Sequence, residues 1–134
     1  MMDFFASLYG YGDWGLLVLR LAVAAIFLVH GKAKFAYWKP GAQTQMPGMM
    51  KFLSIAETAG GLAMLFGFLS QLAAVGLGIV MLGAIKMKIF NWQLPFADTA
   101  KNGWEFDIII LAACITLFFF GPGALSLDRL WFGL

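Results

Sequence analysis

Residues 14–34 read WGLLVLRLAVAAIFLVHGKAK and predict a helix that crosses a membrane. Arg20 is its only charged residue before Lys32. Spanning about 30 Å of hydrocarbon takes roughly 20 helical residues, which this stretch supplies. We expect the span to be retained, because it is preceded by no basic segment and followed by no small-residue cleavage site of a secretion signal.

Three further apolar stretches approach the same length. The chain has 134 residues, of which 62% are hydrophobic and 12% charged. Soluble domains carry roughly 25% charged residues, so lipid is the better solvent for this chain. The sequence predicts an all-α fold, an integral membrane four-helix bundle that forms a single domain over residues 1–134. Its helices are predicted at about 14–34, 52–69, 72–90 and 106–121.

The connections between the predicted helices differ in length. The first is rich in proline and glycine. The second consists only of residues 70–71, which predicts a tight antiparallel hairpin, and the third is longer and carries Pro95. Pro122 lies between two glycines and is predicted to end the last helix. Residues 130–132, LWF, are predicted to rest in the membrane interface.

Lysines are concentrated on the side of the membrane that holds the first and third connections. The opposite side has Arg129, with Arg20 partway inside the first helix. Cytoplasmic loops are rich in lysine and arginine, so we expect these loops in the cytoplasm and both termini outside. The lysines on that side are Lys32, Lys34, Lys39, Lys51, Lys86, Lys88 and Lys101.

Ionisable side chains inside the predicted spans indicate a polar layer near the lysine-rich side. Such a group costs roughly 2.5–3.5 kcal/mol at mid-helix and therefore faces the bundle interior or a wet cavity. Counting about 1.5 Å per residue places one set of residues at similar depth. This set is His30, Glu57, Lys86, Glu105 and Asp107.

Helical periodicity predicts which of these groups face the interior. Lys86 shares a helix face with glycines and Glu105 with alanine and threonine, and small residues let helices approach closely. Lys86 and Glu105 are therefore predicted to point inward, and Asp107 lies on another stripe. Arg20 lies on the outer side, where we expect it to meet Asp128, residues 70–71 or carbonyls at the end of the fourth helix.

The polar layer has two interpretations. It can be a set of salt bridges that fixes helix register, or a headgroup site in which His30 and Lys86 hold a quinone carbonyl while Glu57 or Glu105 exchanges a proton. No metal site is predicted, and a single histidine excludes haem held by two histidines of this chain. The candidate ligand-binding residues are His30, Glu57, Lys86, Glu105, Arg20 and Lys34.

Several motifs along nearly the whole chain together resemble those of the DoxX family. They are LRL at 19–21, FLVHG at 27–31, KF at 34–35, ETAGG at 57–61, WE at 104–105, GPG at 121–123 and SLDR at 126–129. The resemblance implies a four-helix protein of the bacterial inner membrane or the archaeal membrane, linked to respiratory, thiol or oxidative-stress redox systems. Arg20, His30, Lys34, Glu57 and Glu105 occupy motif positions, but the family supplies no settled set of catalytic residues.

The sequence leaves three functional hypotheses. The first is an accessory membrane subunit of a redox system, quinone-linked or related to oxidative stress, which contacts a quinone headgroup and receives electrons from a partner protein. This subunit is not expected to be catalytic alone or to hold a cofactor within its own chain. The second is a small proton-coupled transporter, and the third is a purely structural scaffold. Expected partners are the lipid bilayer and a redox protein or further copies of the chain, and the net charge of +2 does not suggest nucleic acid.

Overall fold

The computed structural model describes residues 1–98, 100 and 103–134, and all regular structure within these ranges is helical. The sequence prediction of an all-α membrane bundle is confirmed. The predicted position Lys101 lies outside the described residues. The helices are α1 (Met2–Ser7), α2 (Gly12–Lys34), α3 (Pro47–Phe66), α4 (Ser70–Lys86), α5 (Glu105–Phe120) and α6 (Leu127–Phe132).

Helices α2 to α5 form the bundle. Helix α2 packs on α3 and α5, and α4 packs on the same two neighbours, so the four helices close into an up-and-down arrangement. Phe27, Met64, Leu77 and Leu117, one from each helix, are almost fully buried between them. Large apolar side chains also cover the outside, as expected for helices surrounded by lipid.

Three helical segments within the described residues are long and apolar enough to cross a membrane. They are Met2–Trp38, Pro47–Phe66 and Ser70–Asn91, the last of which includes a π-helical turn after α4. Helix α5, the fourth predicted span, has 16 residues and is therefore about 24 Å long. It completes the bundle but is shorter than the roughly 20 residues that a full span requires.

The turn between α3 and α4 differs from the sequence prediction. Residues 70–71 were expected to connect the two helices, but Ser70 begins α4 and the turn consists of residues 67–69. Gly67 ends α3 in the left-handed conformation, with φ of +67°, and Phe68 N donates to Ala63 O at 2.9 Å. A Cβ on Gly67 would also overlap the guanidinium of Arg20.

Helix α4 begins earlier than predicted because of a contact with a residue far along the chain. The carboxylate of Asp128, in α6, accepts hydrogen bonds from Leu69 N at 2.6 Å and Ser70 N at 2.8 Å. These amides belong to the first turn of α4, where backbone N–H groups lack partners within the helix. Asp128 therefore caps α4 and ties the C-terminal helix to the α3–α4 turn.

The two ends of the bundle have different chemistry. Asp13, at the start of α2, accepts a hydrogen bond from Ala124 N at 3.0 Å, so both ends of the chain lie at the same end of the bundle as the α3–α4 turn. We call this the terminal end. The opposite end, where α2 and α4 finish and α3 and α5 begin, is called the lysine end. Which side of the membrane each faces stays a prediction.

Candidate functional site

A buried ion pair joins α2 to α3 at the lysine end. Lys34 Nζ lies 2.8 Å from Glu57 Oε2, and the Glu57 side chain is 3% exposed while that of Lys34 is 20% exposed. Gly31, one turn before Lys34, allows this close approach, since a Cβ there would overlap Thr58. A carboxylate so deeply buried requires a partner, and Lys34 provides it.

A groove of about 350 Å³ opens beside this ion pair. His30 and Lys34 are four residues apart and therefore share one face of α2. The His30 side chain is exposed, and its ring stacks on Phe106 of α5 with ring centroids 6.4 Å apart. The groove thus combines nitrogen donors with an apolar wall. Its lining residues are Val29, His30, Ala33, Lys34, Tyr37 and Met50.

The segment that follows α2 is anchored to α3 next to the groove. Residues Phe35–Trp38 form a 3-10 turn, and Trp38 Nε1 donates to Ser54 Oγ at 2.9 Å. Ser54 Oγ in turn donates to Lys51 O at 2.6 Å. These bonds hold the turn against α3, so that Tyr37 is fixed as part of the groove.

A second ion pair at the lysine end joins the π-helical turn after α4 to α5. Lys88 Nζ lies 2.6 Å from Asp107 Oδ2, and both side chains are largely buried. The sequence analysis predicted that Lys86 and Glu105 point into the bundle, and this prediction is wrong. Both are exposed on the outer surface of the bundle.

The cause of this error is the rotational position of α4 and α5. Ala74 and Met81 are buried seven residues apart, and Lys88 follows at the same spacing. On α5 the buried stripe contains Asp107 and Cys114. Small residues were taken to mark the interior, but a Cβ on Gly83 would meet nothing within 4 Å in the part of the chain that the structure describes. That glycine faces outward.

Arg20 lies apart from the groove, at the terminal end. It is 1% exposed, and its Nη2 donates to Leu125 O at 2.7 Å. Its Nε and Nη1 have no hydrogen-bond partner among the described residues, so the expected contact with Asp128 is not a direct hydrogen bond. The apolar core, which includes Phe27 and Met64, separates Arg20 from His30 and Glu57.

The structure therefore divides the predicted site residues into three groups. His30, Lys34 and Glu57 converge at the groove, Lys86 and Glu105 face outward, and Arg20 lies at the other end. Sequence reasoning missed Tyr37, although its spacing of three residues from Lys34 and seven from His30 would have indicated it if the helical path were extended past Lys34. Within the described ranges no three His, Cys, Asp or Glu side chains come together as metal ligands would.

Comparison with known proteins identifies the family. The sequence model of the DoxX family matches residues 15–92. This chain belongs to the DoxX family. The match covers most of α2 and all of α3 and α4, and it contains the groove, the Lys34–Glu57 ion pair and the α3–α4 turn.

Curated relatives of this DoxX protein come from several bacteria. The inner membrane protein YqjF of Escherichia coli is 32% identical over 88% of this chain and 92% of its own length. The protein named "Putative oxidoreductase CatD" of Bacillus subtilis is 32% identical over 85% of this chain and 84% of its own length. An uncharacterised membrane protein of Mycobacterium tuberculosis is 31% identical over 91% of this chain. No solved structure matches.

The names of these relatives and the apolar helices both indicate a location in the membrane. YqjF is named an inner membrane protein, and three segments of the DoxX protein described here are long and apolar enough to span a bilayer. The protein is an integral membrane protein of α-helical construction.

Proposed function

We propose that this DoxX protein is the membrane subunit of a redox system and that it binds a quinone headgroup in the groove beside Lys34. The observation that carries the proposal is the convergence of His30, Lys34 and Tyr37 on one groove, with Glu57 buried behind Lys34. The name of CatD as an oxidoreductase supports the general class of function.

The donors in the groove fit the chemistry of a quinone. A quinone ring presents two carbonyl oxygens, which accept hydrogen bonds, and the groove offers an imidazole, an ammonium and a phenol as donors. Its volume of about 350 Å³ is within the range of roughly 300–1,000 Å³ that is typical of small-molecule sites. Val29, which lines it, is 67% exposed on the lipid-facing surface, where an isoprenoid tail would leave the groove.

The groove supplies binding, and a partner supplies electrons. Reduction of a quinone to a quinol consumes two electrons and two protons, and the described residues bring together no three His, Cys, Asp or Glu side chains that could hold a redox metal. We infer that a partner protein delivers the electrons. The Lys34 ammonium, held by Glu57, is placed to donate one of the two protons to a carbonyl oxygen as the quinone is reduced. The second proton, and the proton that restores the Lys34 ammonium, come from water at the membrane surface.

The transporter hypothesis receives less support. A proton or solute path would need polar groups between the lysine end and the terminal end. Between the level of Glu57 and that of Arg20, the described side chains buried in the bundle include the apolar Val23, Phe27, Met64 and Leu77. The scaffold hypothesis is separated from the proposed function by the binding experiment below.

The proposal is tested by a binding titration. The full chain, purified in mild detergent, is titrated with the short-tailed quinone ubiquinone-1, and tryptophan fluorescence reports binding, since Trp38 lies beside the groove. His30→Ala should raise Kd by roughly tenfold, the value of one hydrogen bond to the ligand. Lys32→Met is the matched control, because Lys32 is exposed on the same turn outside the groove. Absence of saturable binding to the parent, or equal Kd values for the two variants, would overturn the proposal and favour the scaffold.

A further inference from the structure

Two exposed side chains of opposite charge lie at the same depth on neighbouring helices. Lys86 is the last residue of α4 and Glu105 the first of α5. A Cβ on Gly78 would lie 3.8 Å from both Leu111 and Cys114, which sets the relative height of the two helices. Lys86 is about 12 Å from that level, and Glu105 about 9–14 Å from it in the same direction, at about 1.5 Å per residue.

Among the described residues, neither charge forms an ion pair across the contact between α4 and α5. The ion pair beside that contact is formed at 2.6 Å by Lys88, in the π-helical turn that follows α4, and Asp107 of α5. Lys86 and Glu105 are exposed and face away from the interior of the bundle. An ionisable group on the lipid-facing surface of a membrane helix is costly, and such groups usually pair with one another.

The apolar residues next to these charges are complementary in size. Toward the bundle centre from Lys86, the outward side of α4 presents Gly83 and then Ile79, which is 63% exposed. From Glu105, α5 presents Ile109, 64% exposed, and then Ala112. Counted from the two charges, Gly83 lies at nearly the depth of Ile109, and Ile79 at that of Ala112.

At each of these two depths, a small residue on one helix is therefore level with a large residue on the other helix. A Cβ on Gly83 would meet none of the described residues within 4 Å, so the glycine is not required for packing among them. Glycine in a membrane helix allows the backbone of a neighbouring helix to approach closely. The side chain that stands level with Gly83, at Ile109, is of the size that would fill the space.

We propose that α4 of one copy packs against α5 of a second copy inserted in the same direction, with Lys86 paired to Glu105 of that second copy. A second copy in the same membrane presents its α5 at the depth of α4 and antiparallel to it. The two charges then meet at the lysine end. Gly83 packs against Ile109 of the second copy, and Ile79 packs against Ala112 of the second copy. The proposal is independent of quinone binding, because the groove is formed by α2 and the start of α3.

Disulfide cross-linking between two differently tagged full chains in their native membrane tests this contact. One chain carries Ile79→Cys and the other Ala112→Cys, and an oxidant should link them into a product that reductant cleaves. The matched control replaces Ile79→Cys by Ile55→Cys, which is similarly exposed but lies on α3. The buried Cys114 stays in every chain and sets the background.

Charge exchange tests the Lys86–Glu105 pairing. Lys86→Glu in the Ile79→Cys chain should lower the cross-linked fraction several-fold, because it opposes two carboxylates. Glu105→Lys in the Ala112→Cys chain should restore it. Cross-linking no greater than in the Ile55→Cys control, linkage only to a different protein, or failure of the second charge change to restore the product would each overturn the proposal.

Discussion

Lys34 and Glu57 illustrate how a single charge is kept inside an apolar bundle. The Glu57 carboxylate is buried, and Lys34 reaches it with a flexible stem while its ammonium stays partly exposed at the groove. Gly31 makes room for α3 at this position. The ion pair therefore depends on a backbone approach that only glycine permits.

The burial of this ion pair predicts how far its loss lowers the free energy of unfolding. Lys34→Met leaves the Glu57 carboxylate buried without its partner, which should cost about 3 kcal/mol, the lower end of the range for broken buried pairs because Lys34 is partly exposed. Thermal unfolding in detergent measures this as a lower Tm. The double variant Lys34→Met with Glu57→Leu should recover most of the loss, since it removes both charges.

Lys32→Met serves as the control for that series. Lys32 is exposed on the same helix, and its replacement should leave Tm nearly unchanged. A Lys34→Met protein as stable as the parent would mean that Glu57 is not held by this ion pair.

The sequence predicted some of the side chains that meet at the groove. His30, Lys34 and Glu57 were singled out by their depth or motif position, and the structure brings them together. Lys86 and Glu105 were assigned the wrong side, because glycine and alanine mark close approach to any helix, including one outside the chain. Depth follows from counting residues, whereas rotational position depends on which neighbour each face meets.

The presence of the four bundle helices was easier to predict from the sequence than the residues at which each helix begins and ends. Length and hydrophobicity are local properties, and the predicted segments correspond to α2, α3, α4 and α5. The start of α4 is set by Asp128, which is 58 residues from Ser70. A cap supplied from so far along the chain leaves no local signal, so the prediction placed the start of α4 two residues late.

Removal of this cap should weaken the terminal end selectively. Asp128→Ala leaves the amides of Leu69 and Ser70 without acceptors, and we expect a loss of about 1–2 kcal/mol. Hydrogen exchange should accelerate in the first turn of α4 and in α6, with less change at the lysine end. Asp3→Ala, at an exposed position in α1, is the control. Uniform acceleration along the chain would argue against a local cap.

For the whole molecule, an apolar core separates two ends with different roles. Hydrogen bonds close the terminal end: Asp13 and Asp128 accept from backbone amides, and Arg20 donates to a backbone carbonyl. The lysine end holds two ion pairs and the groove. The bundle and its polar end were predictable from hydrophobic lengths and charge depth. The groove was not, because it depends on how the segment after α2 folds against α3.

The central claim is that the groove at the lysine end receives a quinone headgroup, and photolabelling tests it most directly. Membranes that contain the full chain are illuminated with an azido-substituted quinone, and labelled peptides are identified by mass spectrometry. Labelling should be saturable, blocked by excess ubiquinone-1, and located at His30, Tyr37 or Met50. Labelling that is not blocked by excess quinone, or that falls at the terminal end around Arg20 and Trp131, would contradict the account.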